Sequence, residues 1–153
     1  MAPAEAVTEE RQSLYERDFY LWLEQEAALL RDGRLDQLDI ANLLEESEAM
    51  GRKDKKAIKS NLVVVLLHLL KHQFQPNRDS QSWLDSILEH RQRLRDDLEE
   101  SPTLRGHLAA VFPHAYDDAR ARAIILTGLP QRAFPQTSPY TLEQVLDPKY
   151  LPD

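Results

Sequence analysis

The stretch NLVVVLLHLL, residues 61–70, is the most apolar part of the chain and decides its fold class. Apolar side chains occupy nearly every position, so a helix formed there leaves no face for water. The pattern predicts a helix from about Lys53 to Phe74, basic at its start, at the centre of a helical bundle. The run is far shorter than the roughly 20 apolar residues that cross a bilayer, and no membrane association is predicted.

Residues 13–31 show the periodicity of an amphipathic helix that ends before Gly33. Ser13 and Glu16 fit a capping box at its start. Glu26 lies near the middle of the apolar side, where a buried carboxylate needs a partner. The side chains predicted to face inward are Tyr15, Phe19, Trp22, Leu23, Leu29 and Leu30.

A second helix is predicted to begin after Asp36 or Asp39 and to end or bend near Gly51. Its glutamates at positions 45, 46 and 48 are typical of a solvated face. The side chains predicted to face inward are Ile40, Leu43, Leu44 and Met50.

The part of the chain after the central helix predicts a polar loop and then a fourth helix. Ser80 or Ser82 is suited to cap this helix, which ends near Glu100 and carries Arg91 within its apolar stripe. The side chains predicted to face inward are Trp83, Ile87, Leu94 and Leu98.

Ser101-Pro102 and Ser138-Pro139 each combine a capping serine with a proline at the first helical position, and each predicts a new helix. The first of these helices ends at Gly128 and is split or kinked at Pro113. The second is short and lies in the proline-rich segment 129–153, which is predicted to wrap over the bundle.

The predicted fold class is all-α: a bundle of four main helices, one or two extra helices and a proline-rich C-terminal wrap. Residues 1–12 are predicted to be a flexible tail without the features of a signal peptide, and residues 13–153 to be one domain. The chain has no cysteine, which removes disulfides and thiolate chemistry and is compatible with the predicted cytoplasmic location.

Charge is unevenly distributed in this chain of net charge −7. Residues 1–50 contain 4 basic and 13 acidic side chains, residues 51–100 contain 10 and 8, and the remainder contains 5 of each. This distribution favours neither nucleic acid nor an anionic membrane as a partner, and it is compatible with self-association.

Four residues, each on or beside the apolar stripe of a different predicted helix, form a candidate buried polar cluster: Glu26, Glu46, His68 and Arg91. If they point inward they should meet, with Arg91 bridging carboxylates, because unpaired buried charges are costly. In the alternative interpretation each lies at the edge of its stripe with its tip in water. A structural role for such a cluster is more typical than a catalytic one.

His68 and His72 stand four residues apart on one helix face, which is the spacing of helical zinc ligands. With Glu46 and Glu48 they make a candidate metal set, and hence an alternative function as a metal-assisted hydrolase. The H-E-x-x-H signature is missing, since Leu69 stands in place of its glutamate. The simpler interpretation of His68 is a core histidine that donates to a carboxylate or a carbonyl.

The basic residues between Arg52 and Lys59 raise a second alternative, a weak nucleic-acid-binding regulator. Pairing with the preceding acidic helix, within one molecule or between two, explains them more simply. Together with the polar loop they give a candidate contact surface: Lys55, Lys56, Lys59, Gln75, Arg78 and Trp83. The dispersed glycines and the lack of a G-x-S-x-G motif disfavour nucleotide-binding enzymes and serine hydrolases, and no cofactor is predicted.

Successive blocks of the sequence resemble the bacterial family known as domain of unknown function 29. The blocks run in the family's order from about Leu14 to Pro152 and are LYERDFYLWLEQEAALLRDGRLDQLDIANLLEESEAMGR, LLHLLKHQFQP, SWLDSILEHRQRL and LPQRAFPQTSPYTLEQVLD. The resemblance implies an all-helical fold without an established activity. Two positions depart from the family: His72 replaces its usual tryptophan, which argues against His72 in a family-wide site, and Glu26 stands where glutamine is expected.

The sequence therefore predicts a bacterial cytoplasmic helical protein that acts without catalysis, as a protein-binding or self-associating module. Its expected partner is another protein or a second copy of itself.

Overall fold

The computed structural model describes residues 14–75 and 81–153, in which the chain forms helices and no strand. The all-α prediction is therefore confirmed. The α-helices are α1 (Phe19–Arg31), α2 (Ile40–Phe74), α3 (Gln81–Glu100), α4 (Leu104–Thr127) and α5 (Leu142–Leu146), with short 3₁₀ helices at Leu35–Gln37 and Gln131–Ala133.

Two compact units divide the chain, Met1–Arg52 and Lys53–Asp153. The prediction of one domain over residues 13–153 stays a prediction. The predicted N-terminal tail lies outside the described residues. No helix in residues 14–75 or 81–153 is both long and apolar enough to span a membrane.

In the first unit, a helical turn at residues 14–17 leads into α1. Asp18 caps α1, because its side chain accepts a hydrogen bond from the backbone N–H of Leu21 at 3.1 Å. The predicted capping box involves Ser13, which lies outside the described residues. Gly33 follows the helix as predicted, with a φ of 71° that glycine adopts at little cost. The buried side of α1 is narrower than predicted and consists of Trp22, Glu26 and Leu29.

The second and third predicted helices are one continuous helix, α2, which passes through Gly51, so the predicted helix boundary near this glycine is wrong. Asp39 stands directly before it and accepts a hydrogen bond at Oδ1 from the backbone N–H of Asn42, at 3.4 Å. A glycine inside a helix costs only about 0.5–1 kcal/mol relative to alanine, which is too little to end it. All residues from 50 to 57 are exposed, so the burial of side chains contributes little to this stretch of α2.

The second half of α2 is the centre of the second unit, as its apolar run predicts. Its buried side chains are Ile58, Leu62, Val63, Val65, Leu66, Leu67, Leu69 and Leu70. Side chains of α3 and α4 complete the core around it, chiefly Ile87, Leu94, Leu108, Ala115, Tyr116, Ala119 and Ala123.

Helix α4 is uninterrupted, so the predicted split at Pro113 is not found. Its N-cap is Thr103, where the sequence predicts Ser101. Gly128 ends the helix as predicted, in the left-handed conformation with a φ of 70°.

The C-terminal segment, residues 129–153, is fastened to the second unit by side chains and hydrogen bonds. Tyr116 donates from its hydroxyl to the carbonyl oxygen of Pro135 at 2.5 Å, and Tyr140 donates to Gln73 Oε1 at 2.8 Å. The short helix predicted in this segment is α5, which begins with a capping box that involves Thr141. Four side chains of the segment lie in the core: Phe134, Tyr140, Val145 and Leu146. The wrap over the bundle stays a prediction.

Candidate functional site

A buried polar network joins α1 to the start of α2 in the first unit. The indole Nε1 of Trp22 donates to Asp39 Oδ2 at 3.0 Å, and the backbone N–H of Asp39 donates to Glu26 Oε2 at 3.0 Å. Asn42 Nδ2 donates to the same oxygen of Asp39 at 2.8 Å. Trp22 and Asp39 are 0% exposed and Glu26 is 1% exposed. Two carboxylates thus lie out of reach of water beside the N-terminal end of α2, where the backbone N–H groups favour negative charge.

Glu26 is predicted from the sequence as a member of a buried polar cluster, whereas Asp39 is not predicted as its neighbour. The sequence shows Asp39 only as a possible helix cap, and nothing in the pattern distinguishes an exposed cap from a buried one. The buried Oε1 of Glu26 has no hydrogen-bond partner among the described residues. Glutamine, which the family resemblance leads one to expect at this position, would carry no charge there.

Glu46 has a partner of its own in the first unit. The hydroxyl of Tyr15 donates to Glu46 Oε1 at 2.5 Å, and this hydrogen bond to a carboxylate raises the pKa of Tyr15 to about 12. The Tyr15 ring lies edge-on against Trp22, with centroids 4.8 Å apart. Tyr15 therefore connects Glu46 to the aromatic side of the buried network.

Arg91, in the second unit, is 2% exposed. Its Nε donates to the carbonyl oxygen of Val145 at 2.7 Å and its Nη2 to that of Gln144 at 3.3 Å. Burial lowers the pKa of Arg91, while the charge of Asp147 acts in the opposite direction. The last carbonyls of a helix have no intrahelical donor, so a guanidinium group can satisfy them. Arg91 thus fastens the end of α5 to α3.

His68 lies in α2 among the core side chains of the second unit. Its Nδ1 is buried and has no hydrogen-bond partner among the described residues. Burial, and to a lesser degree the charge of Lys71 and the neighbouring His90, lower the pKa of His68 to about 4. His68 is therefore neutral at pH 7.

No hydrogen bond joins any two members of the predicted cluster, Glu26, Glu46, His68 and Arg91, all of which the structure describes. Glu26 and Arg91 are buried, as an inward orientation requires. Glu26 accepts a hydrogen bond from Asp39, however, and Arg91 donates to the backbone of α5. The cluster also assumes four different helices, whereas Glu46 and His68 both belong to α2. Residues of one helix meet when they are three or four positions apart, and these two are much farther apart in sequence.

The residues proposed as metal ligands, Glu46, Glu48, His68 and His72, all belong to α2. In residues 14–75 and 81–153, no three His, Asp or Glu side chains are grouped so that they could hold a metal ion. The metal set is therefore not assembled in the described part of the chain.

The residues of the candidate contact surface differ in their exposure and in their neighbours. Lys59 Nζ lies 3.2 Å from Asp118 Oδ2, whereas Lys55 and Lys56 are exposed. Trp83 is half-buried, with Lys71 Nζ 4.7 Å from its ring centroid. Gln75 is half-buried, and Arg78 lies outside the described residues.

Acidic and basic side chains pair within the molecule at one place on α2. Arg52 Nη2 lies 3.0 Å from Glu45 Oε1, and Arg52 Nη1 lies 3.9 Å from Glu48 Oε2. These three side chains are each more than half exposed, so the pairs contribute little to stability.

Exposed large apolar side chains are concentrated in the first unit. Within residues 14–52, nine are at least 40% exposed: Phe19, Tyr20, Leu21, Leu23, Leu30, Leu35, Ile40, Leu44 and Met50. In the described part of the second unit there are four: Leu88, Ile125, Leu126 and Leu151. Six of the nine are predicted to face inward, at positions 19, 23, 30, 40, 44 and 50, and these predictions are wrong. Two helices packed on each other cover only one side of each, and a further layer would be needed to cover the other.

Comparison with protein families matches residues 14–151 to the family described as "Domain of unknown function DUF29". No curated protein and no solved structure matches the chain.

Proposed function

The chain belongs to the DUF29 family, whose description assigns no activity, and we propose that it is a cytoplasmic self-associating module that acts by binding and not by catalysis. The observation that carries the proposal is the exposed apolar surface of the first unit. The proposed partner is a second copy of the chain, bound through the exposed apolar flank of α1.

An exposed apolar stripe runs along α1 on the flank next to its buried side. At 100° per residue, Phe19, Leu23 and Leu30 fall within about 40° of one another, and Tyr20 and Ala27 extend the stripe to about 100°. Phe19, Leu23 and Leu30 are 42%, 40% and 52% exposed, respectively. Exposed apolar surface of this extent is typical of a contact with another protein.

Charge at the margin of this stripe favours a second copy as the occupant. Glu24 and Arg31 lie seven residues apart at the same margin, and neither forms an ion pair with another described residue. A two-fold axis near Ala27 would pair two copies of α1 in antiparallel fashion. Glu24 of one copy would then lie beside Arg31 of the other, twice in each dimer, because a two-fold interface repeats each contact.

The experiment measures molar mass by light scattering and sedimentation over a range of concentrations. We expect a dimer for the wild type and a monomer for the double variant Leu23→Glu/Leu30→Glu. The matched control is Ile125→Glu/Leu126→Glu, which places the same charges on apolar side chains exposed in the second unit and should remain a dimer. Circular dichroism establishes that each variant is folded.

Charge reversal tests the orientation of the two copies. Glu24→Arg and Arg31→Glu should each weaken dimerisation, since each places like charges together, and the combined variant should restore it. Glu99→Arg, an exposed change in α3, is the control. A wild type that stays monomeric at high concentration, or a combined variant weaker than both single ones, contradicts the proposal.

A further inference from the structure

A groove with a basic margin lies between α2 and α4, within the second unit. Its volume is about 510 Å³, which is in the range of sites that hold small ligands or a few side chains of a partner. The polar part of its lining consists of Lys56, Lys59, Ser60, Asp118 and Arg122. Three cationic groups therefore face one carboxylate.

The carboxylate of this lining is already paired. Asp118 Oδ2 accepts the 3.2 Å ion pair from Lys59 Nζ. Lys56 and Arg122 are exposed, and neither forms an ion pair within residues 14–75 or 81–153. Two positive charges of the described chain are thus left without a counter-charge in a protein whose net charge is −7.

The rest of the lining is apolar. Val63 is buried, Val64 is half-buried, and Ala121 offers a small exposed surface beside them. A ligand that neutralises Lys56 and Arg122 would therefore place its apolar part on these side chains.

We propose that this groove binds an acidic and partly apolar segment of a partner protein. Carboxylates of the segment pair with Lys56 and Arg122, and an apolar side chain of the segment lies on Val63, Val64 and Ala121. The described lining combines its cationic groups with apolar side chains and contains no aromatic ring on which a base could stack, so an acidic and partly apolar peptide fits better than a nucleic acid. The groove shares no residue with α1, and this proposal does not depend on self-association.

The test uses the full-length protein and the fluorescence anisotropy of a labelled synthetic peptide composed of glutamate and leucine. We expect saturable binding that weakens with rising salt. Lys56→Glu/Arg122→Glu should weaken it by at least about tenfold, because like charges then face the peptide. The matched control Lys53→Glu/Lys55→Glu makes the same change in charge at exposed positions of α2 outside the groove, and it should keep most of the affinity.

Three further probes separate the contributions and the class of ligand. A peptide of glutamate alone should bind more weakly than the glutamate–leucine peptide, and a peptide of lysine and leucine should not bind. The proposal is overturned if both double variants lose affinity equally, since that is a general effect of net charge. It is also overturned if a short single-stranded RNA binds more tightly than the peptide and loses its binding with Lys56→Glu/Arg122→Glu.

Discussion

The indole of Trp22 and the carboxylate of Asp39 form a 3.0 Å hydrogen bond at a place where both residues are fully buried. The backbone N–H of Asp39 is used at the same place to hold Glu26. Asp39 thus caps α2, accepts a hydrogen bond from Trp22 of α1 through its side chain and donates one to Glu26 of α1 through its backbone N–H. The orientation of α1, and with it the exposed apolar stripe on which the proposed dimer depends, follows from this arrangement.

Removal of the indole N–H tests how much the hydrogen bond contributes. Trp22→Phe leaves a buried carboxylate oxygen with one donor fewer and a cavity beside the smaller ring, and we expect it to lower the free energy of unfolding by about 2–4 kcal/mol. Urea unfolding at neutral pH measures the change. The control is Trp83→Phe, the same substitution at a half-buried site, and an equal effect of the two variants would contradict the role given to the bond.

Replacement of Glu26 by glutamine should stabilise the protein. The amide oxygen of the new side chain would still accept from the backbone N–H of Asp39, and an uncharged NH₂ group would take the place of the unpartnered Oε1. Burial of a neutral amide costs less than burial of a carboxylate, so we expect the free energy of unfolding to rise by about 1–2 kcal/mol.

Glu26→Ala is the contrasting variant. It leaves the N–H of Asp39 without an acceptor and opens a cavity, so it should lower the free energy of unfolding by about 2–4 kcal/mol. Thermal unfolding ranks the three proteins, and a Glu26→Gln variant less stable than the wild type would show that the charge itself is needed.

The helical class and the identity of the central helix are predictable from the sequence, because a helix with a nearly all-apolar surface is stable only in the centre of a core. The continuity of α2 is not predictable, since Gly51 and a change of apolar pattern resemble a helix boundary. Whether the helix ends there depends on contacts elsewhere in the fold. Burial of Glu26 and Arg91 follows from one of the two interpretations that their places in apolar stripes allow. Their partners do not, because Arg91 bonds to carbonyls more than 50 positions away and periodicity carries no information about such contacts.

His68 gives the stability a dependence on pH. Its pKa is about 4 in the folded protein and near 6.5 in the unfolded chain, so between these values the unfolded state binds more protons. The stabilisation is complete above about pH 6.5 and is lost as the pH falls toward 4. At about pH 5 the wild type should have lost about 1–2 kcal/mol more than His68→Gln, relative to pH 7.5.

Urea unfolding at several pH values measures this difference, and NMR titration of the imidazole measures the pKa directly. The exposed His114→Gln serves as the control and should follow the wild type. Titration of His68 near its ordinary value, or identical pH profiles for the wild type and His68→Gln, would contradict the prediction.

Arg91 should determine how firmly the C-terminal segment is held. Arg91→Met keeps much of the apolar volume but leaves the carbonyl of Val145 without a donor and that of Gln144 with only the backbone N–H of Asp147, and we expect a loss of about 1–3 kcal/mol in the free energy of unfolding. Release of α5 should also loosen the backbone around Arg132, whose exposed side chain lies in the 3₁₀ helix Gln131–Ala133, and so allow trypsin to cleave there. Mass spectrometry of a timed digest should therefore show earlier cleavage after Arg132 in this variant. Arg93→Met, which removes only an exposed pair with Glu89, is the control, and equal rates of cleavage in the two variants would show that α5 is held by its apolar side chains alone.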